Sequence, residues 1–107
     1  MKLREIAHAR SGDKGDISNI SVIAFRLEDF AILRREVTCA RVKQQLGQII
    51  RGDVERYELP SLGALNFVLN RALAGGVTRS LALDTHGKCL GSLLLAMEIE
   101  KDRVQNP

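Results

Sequence analysis

The chain has 107 residues, 45% of them hydrophobic and 4% aromatic, the size of one domain with one continuous core and no room for a second. Sixteen Lys and Arg are interspersed with thirteen Asp and Glu, and the resulting +3 is too small a surplus to require a nucleic-acid partner. Phe25, Phe30, Phe67 and Tyr57 are the only aromatic residues, three of them expected in the core, which leaves no surface for stacking bases.

Cys39 and Cys89 stand among apolar neighbours too far apart for a CxxC zinc site, and two cysteines make no disulfide framework. Free buried thiols in a reducing, cytoplasmic compartment are the expectation. The longest stretch without a charge, Leu59 to Asn70, is interrupted by Pro60, Ser61 and Asn66 and is too short to span a membrane. Met1 to Glu5 lacks the apolar run of a signal peptide, so a soluble protein that is not exported is expected.

Leu3 to His8 alternates polar and apolar residues and predicts a strand. Arg10-Ser11-Gly12-Asp13-Lys14-Gly15-Asp16 follows, a turn-rich segment that predicts a loop. Ser18 to Phe25 is apolar on both alternations, as in a central strand covered on two sides. From Leu27 the period is helical, with Leu27, Phe30, Leu33 and Val37 on one stripe, acids first and Arg34 and Arg35 last, matching the helix dipole. Thr38 is placed to cap a second helix running to Leu46, with Gly47 as its stop.

Asp53 to Leu59 reads as a strand whose charges suit an edge or an interface. Pro60-Ser61 then opens a predicted helix with Leu62, Leu65, Leu69 and Leu73 at helical spacing, ended by Gly75-Gly76. Val77 to Leu83 alternates again and predicts a strand, and Asp84 to Lys88 a turn. Leu90, Leu93, Leu94 and Met97 recur at helical period, although Leu93 to Ile99 also suits a strand. Residues 1–100 are expected to form the single domain and Lys101 to Pro107 a polar tail. Burying each apolar stripe against another layer gives a two-layer α/β sandwich with right-handed strand-helix-strand crossovers, its strand order open.

The densest polar segment is the run from Arg10 to Asp16. Its glycines can turn successive N–H groups toward one point, with Arg10 and Lys14 as charge partners for an anion. Asp13 and Asp16 can equally pair with those cations and merely close the turn. His8 borders the segment, and a carboxylate such as Asp13 or Asp16 could orient its ring for proton transfer. His86 reads as a solvated turn residue, and the two histidines form no ligand pattern, so no metal is expected. Asn66, expected at a helix start, either pins a neighbouring segment or reads a ligand, and Arg79 on its strand needs a carboxylate partner. No serine or cysteine has a base nearby in sequence.

Four blocks carry a resemblance: Ala7 to Asp16 followed by Asn19 and Ile20, then Tyr57 to Phe67, Gly75 to Leu81, and Asp84 to Lys88. Together, over about residues 3 to 99, the sequence resembles the AtuA-like ferredoxin-fold domain, a family that includes the carboxy-terminal region of acyclic terpene utilisation protein A and small free-standing relatives. The resemblance implies an α+β two-layer sandwich, ferredoxin-like, with an about four-stranded mixed sheet and helices packed mainly on one face. It also implies a bacterial cytoplasmic protein tied to the breakdown of branched terpenoid acids as CoA thioesters.

The larger amino-terminal domain of the full-length protein has no counterpart in these residues, so an accessory binding subunit that pairs with itself and with a larger AtuA-like chain is the leading expectation. The alternative is a small stand-alone hydratase- or isomerase-type enzyme on an acyl-CoA, with His8, Asp13 and Asp16 as acid/base candidates. Candidate ligand contacts, for a carboxylate or CoA thioester, are Arg10, Ser11, Gly12, Lys14, Gly15, Asn19, Asn66 and Arg79. No cofactor, nucleic acid or membrane is expected.

Overall fold

Two β-hairpins build the sheet. The computed structural model describes residues 1–14, 17–47, 52–70 and 88–100. The first hairpin joins β1 (Ala7–Lys14) to β2 (Ile17–Ala24), and the second joins β3 (Val54–Leu59) to β4 (Ala64–Asn70). Pairing of β2 with β4 completes a four-stranded sheet of order β1-β2-β4-β3. Every described pairing is antiparallel, so the α+β class holds while the expected mixed sheet gives way to an antiparallel one. Between β2 and β3 the chain crosses over through α1 (Phe30–Glu36) and α2 (Cys39–Gln45), and α3 (Lys88–Leu95) follows the second hairpin.

The chain departs from the sequence reading in two places. Residues 10–14 continue β1 instead of opening a loop, each paired with β2 through Lys14↔Ile17. As an edge strand, β1 can expose His8 and Arg10 while Ala7 is buried, so polar composition does not prevent pairing there. The predicted strand from Leu3 accordingly starts late, a single 3-10 turn occupying Leu3–Glu5.

After Pro60 the predicted helix is one 3-10 turn, Pro60–Leu62, and then β4. Gly63 stops the turn in the left-handed region at φ 63°, where a Cβ would stand 3.0 Å from Leu27 Cδ2. Beyond it, Leu65, Phe67 and Leu69 are buried while Asn66, Val68 and Asn70 are half-buried, a period of two. The hairpin therefore replaces one of the expected crossovers. Leu73, Gly75, Gly76, the strand from Val77 to Leu83, His86 and the tail from Lys101 lie outside the described residues.

Elsewhere the local signals hold. Thr38 caps α2, its Oγ1 accepting from the Arg41 N–H at 3.2 Å. Of the two readings of residues 89–99 the helix holds, α3 running to Leu95, and in place of a strand from Leu93 Glu98 makes an isolated antiparallel bridge to Lys2. Ile20, Val22, Leu65, Phe67 and Leu69 of the sheet meet Leu33, Val37, Val42, Leu46, Leu90 and Leu94 of the helical layer in one core. Among the described residues the helical layer thus covers one face of the sheet and leaves the opposite face open.

Candidate functional site

Strand alternation sorts the candidate residues between those two faces. On β1, Ala9 and Ser11 lie beneath α3: a Cβ added at Gly91 would meet Ser11 Oγ at 2.9 Å and Ala9 Cβ at 3.4 Å. His8 and Arg10, the alternate positions, are exposed. The register then aligns three rows across the open face. They are His8–Ile23–Ala64–Leu59, Arg10–Ser21–Asn66–Tyr57 and Gly12–Asn19–Val68–Glu55.

Within these rows polar groups pair across strands. Asn66 Nδ2 donates to Ser21 Oγ at 2.8 Å, joining β4 to β2, so Asn66 pins a neighbouring strand from the middle of β4, not from a helix start. Tyr57 donates its phenolic hydrogen to Glu55, and Asn70 Nδ2 donates to the same carboxylate at 3.2 Å. Hydrogen bonds from Tyr57 and then Asn70 hold the Glu55 carboxyl below its usual value, and the bond to Glu55 raises the Tyr57 phenol in return. The His8 ring stacks on Phe25, centroids 5.5 Å apart at 18°. Arg10 has no ion-pair partner among the described residues.

Of the acid/base candidates, the structure places the backbones of His8 and Asp13. Both lie on β1, five residues apart, and at about 3.3 Å per residue their Cα atoms are roughly 16 Å apart. Of Asp13 and Lys14 the structure gives the backbone pairing, with Ser18 and Ile17. Gly15, Asp16 and Arg79 lie outside the described residues. Gly12 has ordinary room, the Asn19 side chain being 3.9 Å from where its Cβ would be. Among the described residues no three His, Cys, Asp or Glu side chains converge as a metal site needs, and no helix is long and apolar enough to cross a membrane.

Two features border this face. A cleft of about 340 Å³ between β1 and α3 is lined by Ala9, Arg10, Ser11, Gly91, Ser92 and Leu95, with the Ser11 and Ser92 hydroxyls among its polar groups. At the end of the sheet, Phe25, Leu27, Leu59 and Leu62 are 60, 62, 40 and 65% exposed around the Gly63 turn. Leu27, expected on the buried stripe of α1, precedes that helix in a 3-10 turn and so is out of phase with it. Sequence reasoning missed Ser21, Glu55 and Ser92 as well as this corner. Glu55 and Tyr57, two apart on an edge strand, carried a signal; Ser21 carried none, because its role depends on the register with β4.

The family model for the AtuA ferredoxin-like domain matches residues 1–100. The chain belongs to this family. An AtuA ferredoxin-like domain therefore accounts for all the described elements, from the first 3-10 turn to the segment after α3. No curated protein and no solved structure matches the chain.

Proposed function

We propose that this AtuA ferredoxin-like domain is an accessory binding subunit, which associates with itself and with a larger AtuA-like chain in a bacterial cytoplasm, the chemistry on branched terpenoid acyl-CoA belonging to the larger chain. The observation that carries the reading is the exposure of Phe25, Leu27, Leu59 and Leu62, four large apolar side chains at one end of the sheet left 40–65% exposed. One exposed leucine needs no explanation, but four large exposed apolar residues at the same end of a small domain, with Arg26 and Glu28 beside them in sequence, suit a protein contact. The cleft at Ser11 and Ser92 would contribute a wall to a shared site for a carboxylate or CoA thioester.

A stand-alone hydratase or isomerase needs His8, a carboxylate and Asn66 in one pocket. Against that reading, the His8 ring stacks on Phe25, Asn66 donates to Ser21, and Asp13 follows His8 by five positions on the same strand. The test is co-purification with a tagged larger AtuA-like chain, using Leu62→Glu and Leu27→Glu, both at exposed positions that folding tolerates. Capture of the wild type and an at least tenfold loss in both variants, with unchanged circular dichroism, is expected, since central apolar anchors dominate such contacts. Undiminished capture of both variants, or turnover of an acyl-CoA by the small chain alone, would overturn the reading.

A further inference from the structure

The open face carries charge at its two edges and little between them. Arg10 stands on β1 at one edge, without an ion-pair partner among the described residues. Glu55 stands on β3 at the other, its partners among the described residues being the neutral donors Tyr57 and Asn70. Three strand spacings of about 4.8 Å separate the edges, some 14 Å, so the two cannot meet within one molecule. Between them lie Ser21 and Asn66, joined by a hydrogen bond, with half-buried Ile23 and Val68.

We propose that a second copy of this chain docks on the open face, the two sheets related by a two-fold axis parallel to the strands, so that Arg10 of each copy meets the Glu55–Tyr57 pair of the other. Such an axis lays β1 over β3 and places each cross-strand row on its own reversal, a self-complementary contact of the kind a two-fold dimer requires. The row Arg10–Ser21–Asn66–Tyr57 then sets a guanidinium against a phenol whose hydroxyl already holds a carboxylate. The adjoining row brings the His8–Phe25 stack toward Leu59, apolar against apolar. The other in-plane axis, across the strands, lays β1 on β1 and β3 on β3, bringing each charged edge against its like, which costs free energy and suppresses that mode.

Four strands of about seven residues present roughly 440 Å² in projection at the usual spacings. Counting both copies, roughly 900 Å², this is near the lower limit of specific interfaces, and a dimer dissociating in the micromolar range is the consequence. The inference rests on the reading of the domain as an associating subunit, but it uses a different surface from the apolar corner.

The test is charge exchange on the full chain, with oligomeric state read by sedimentation velocity and pairing by native mass spectrometry. Arg10→Glu and Glu55→Arg are each expected to weaken self-association at least tenfold, and the double variant to regain it. An equimolar mixture of the single variants is expected to form the mixed dimer, because the two faces then complement each other at both contacts. Circular dichroism confirms that each variant is folded. A monomeric wild type at about 500 μM, single variants that dimerise like the wild type, or single variants that fail to pair when mixed would each overturn the proposal. If self-association is untouched while Leu62→Glu loses the larger chain, this dimer falls and the accessory-subunit reading stands. If the charge variants instead lose the larger chain and the wild type is monomeric, the face belongs to that partner.

Discussion

Tyr57 is the chain's one tyrosine, which makes its phenol a direct optical reporter of the open face. The hydrogen bond to Glu55, reinforced by the carboxylate's charge, raises that phenol above its ordinary value. Ionising the phenol removes the donated hydrogen and leaves two anions side by side, so the phenolate must form at higher pH than in a free tyrosine. A spectrophotometric titration should therefore show a late rise of phenolate absorbance in the wild type and a shift toward the ordinary value in Glu55→Gln. Coincident titration curves would mean that the Tyr57–Glu55 bond does not persist in solution. Both groups are exposed, so the difference between the curves should shrink as salt is added.

Among elements, those whose signals are local were legible from sequence: β2 by its β-branched run, α2 by the Thr38 cap and Gly47, and β3 by the alternation of charge at an edge. β4 was misread because Leu62, Leu65 and Leu69 satisfy a helical spacing while Leu65, Phe67 and Leu69 satisfy a strand's, and only the partners β2 and β3 choose between them. The open face was legible only in part for the same reason. His8, Arg10 and Asn66 stood out as polar residues, but no local pattern shows that Arg10 and Asn66 both flank Ser21 in one row.

The decisive local residue is Gly63, whose left-handed conformation separates the 3-10 turn from the strand and whose carbonyl accepts from the Ala24 N–H at 2.8 Å. Gly63→Ala forces a Cβ into a conformation costing about 1–2 kcal/mol in an L-residue, with Leu27 Cδ2 at 3.0 Å in addition. Urea unfolding should show a midpoint lowered accordingly with an unchanged slope. A midpoint equal to that of the wild type would show that the turn is not held in this conformation.

In the molecule as a whole, the two ends of the described chain are tied to the helical layer at a buried carboxylate. Residues 1–3 run against 97–99, with the Leu3 N–H donating to Met97 O at 2.8 Å and the Ile99 N–H to Met1 O at 2.8 Å. That tie is bound to the helical layer through Glu36, 2% exposed at the end of α1. Its Oε1 accepts from Arg41 Nη1 at 3.0 Å and from the Glu100 N–H at 3.2 Å, and its Oε2 accepts from Arg35 Nε at 2.9 Å. The same guanidinium groups also donate to the Glu98 and Glu100 carbonyls. A buried charge survives only when its lone pairs are satisfied in this way.

Glu36→Ala removes the acceptor common to both arginines and to the Glu100 amide. Because the arginines are about one-third exposed, water can take over part of their hydrogen bonding, which keeps the expected loss to about 2–3 kcal/mol. The larger effect should be local. The Glu100 amide, which donates to Glu36, and the adjoining amides of residues 97–99 should exchange with solvent faster relative to global unfolding, while β2 and β4 keep protection near the global limit. Hydrogen exchange resolved by mass spectrometry separates these outcomes. Uniform loss of protection across the chain would mean that the tie and the core open as one unit, and Glu36 would then be a support of the core and not a clasp between the ends.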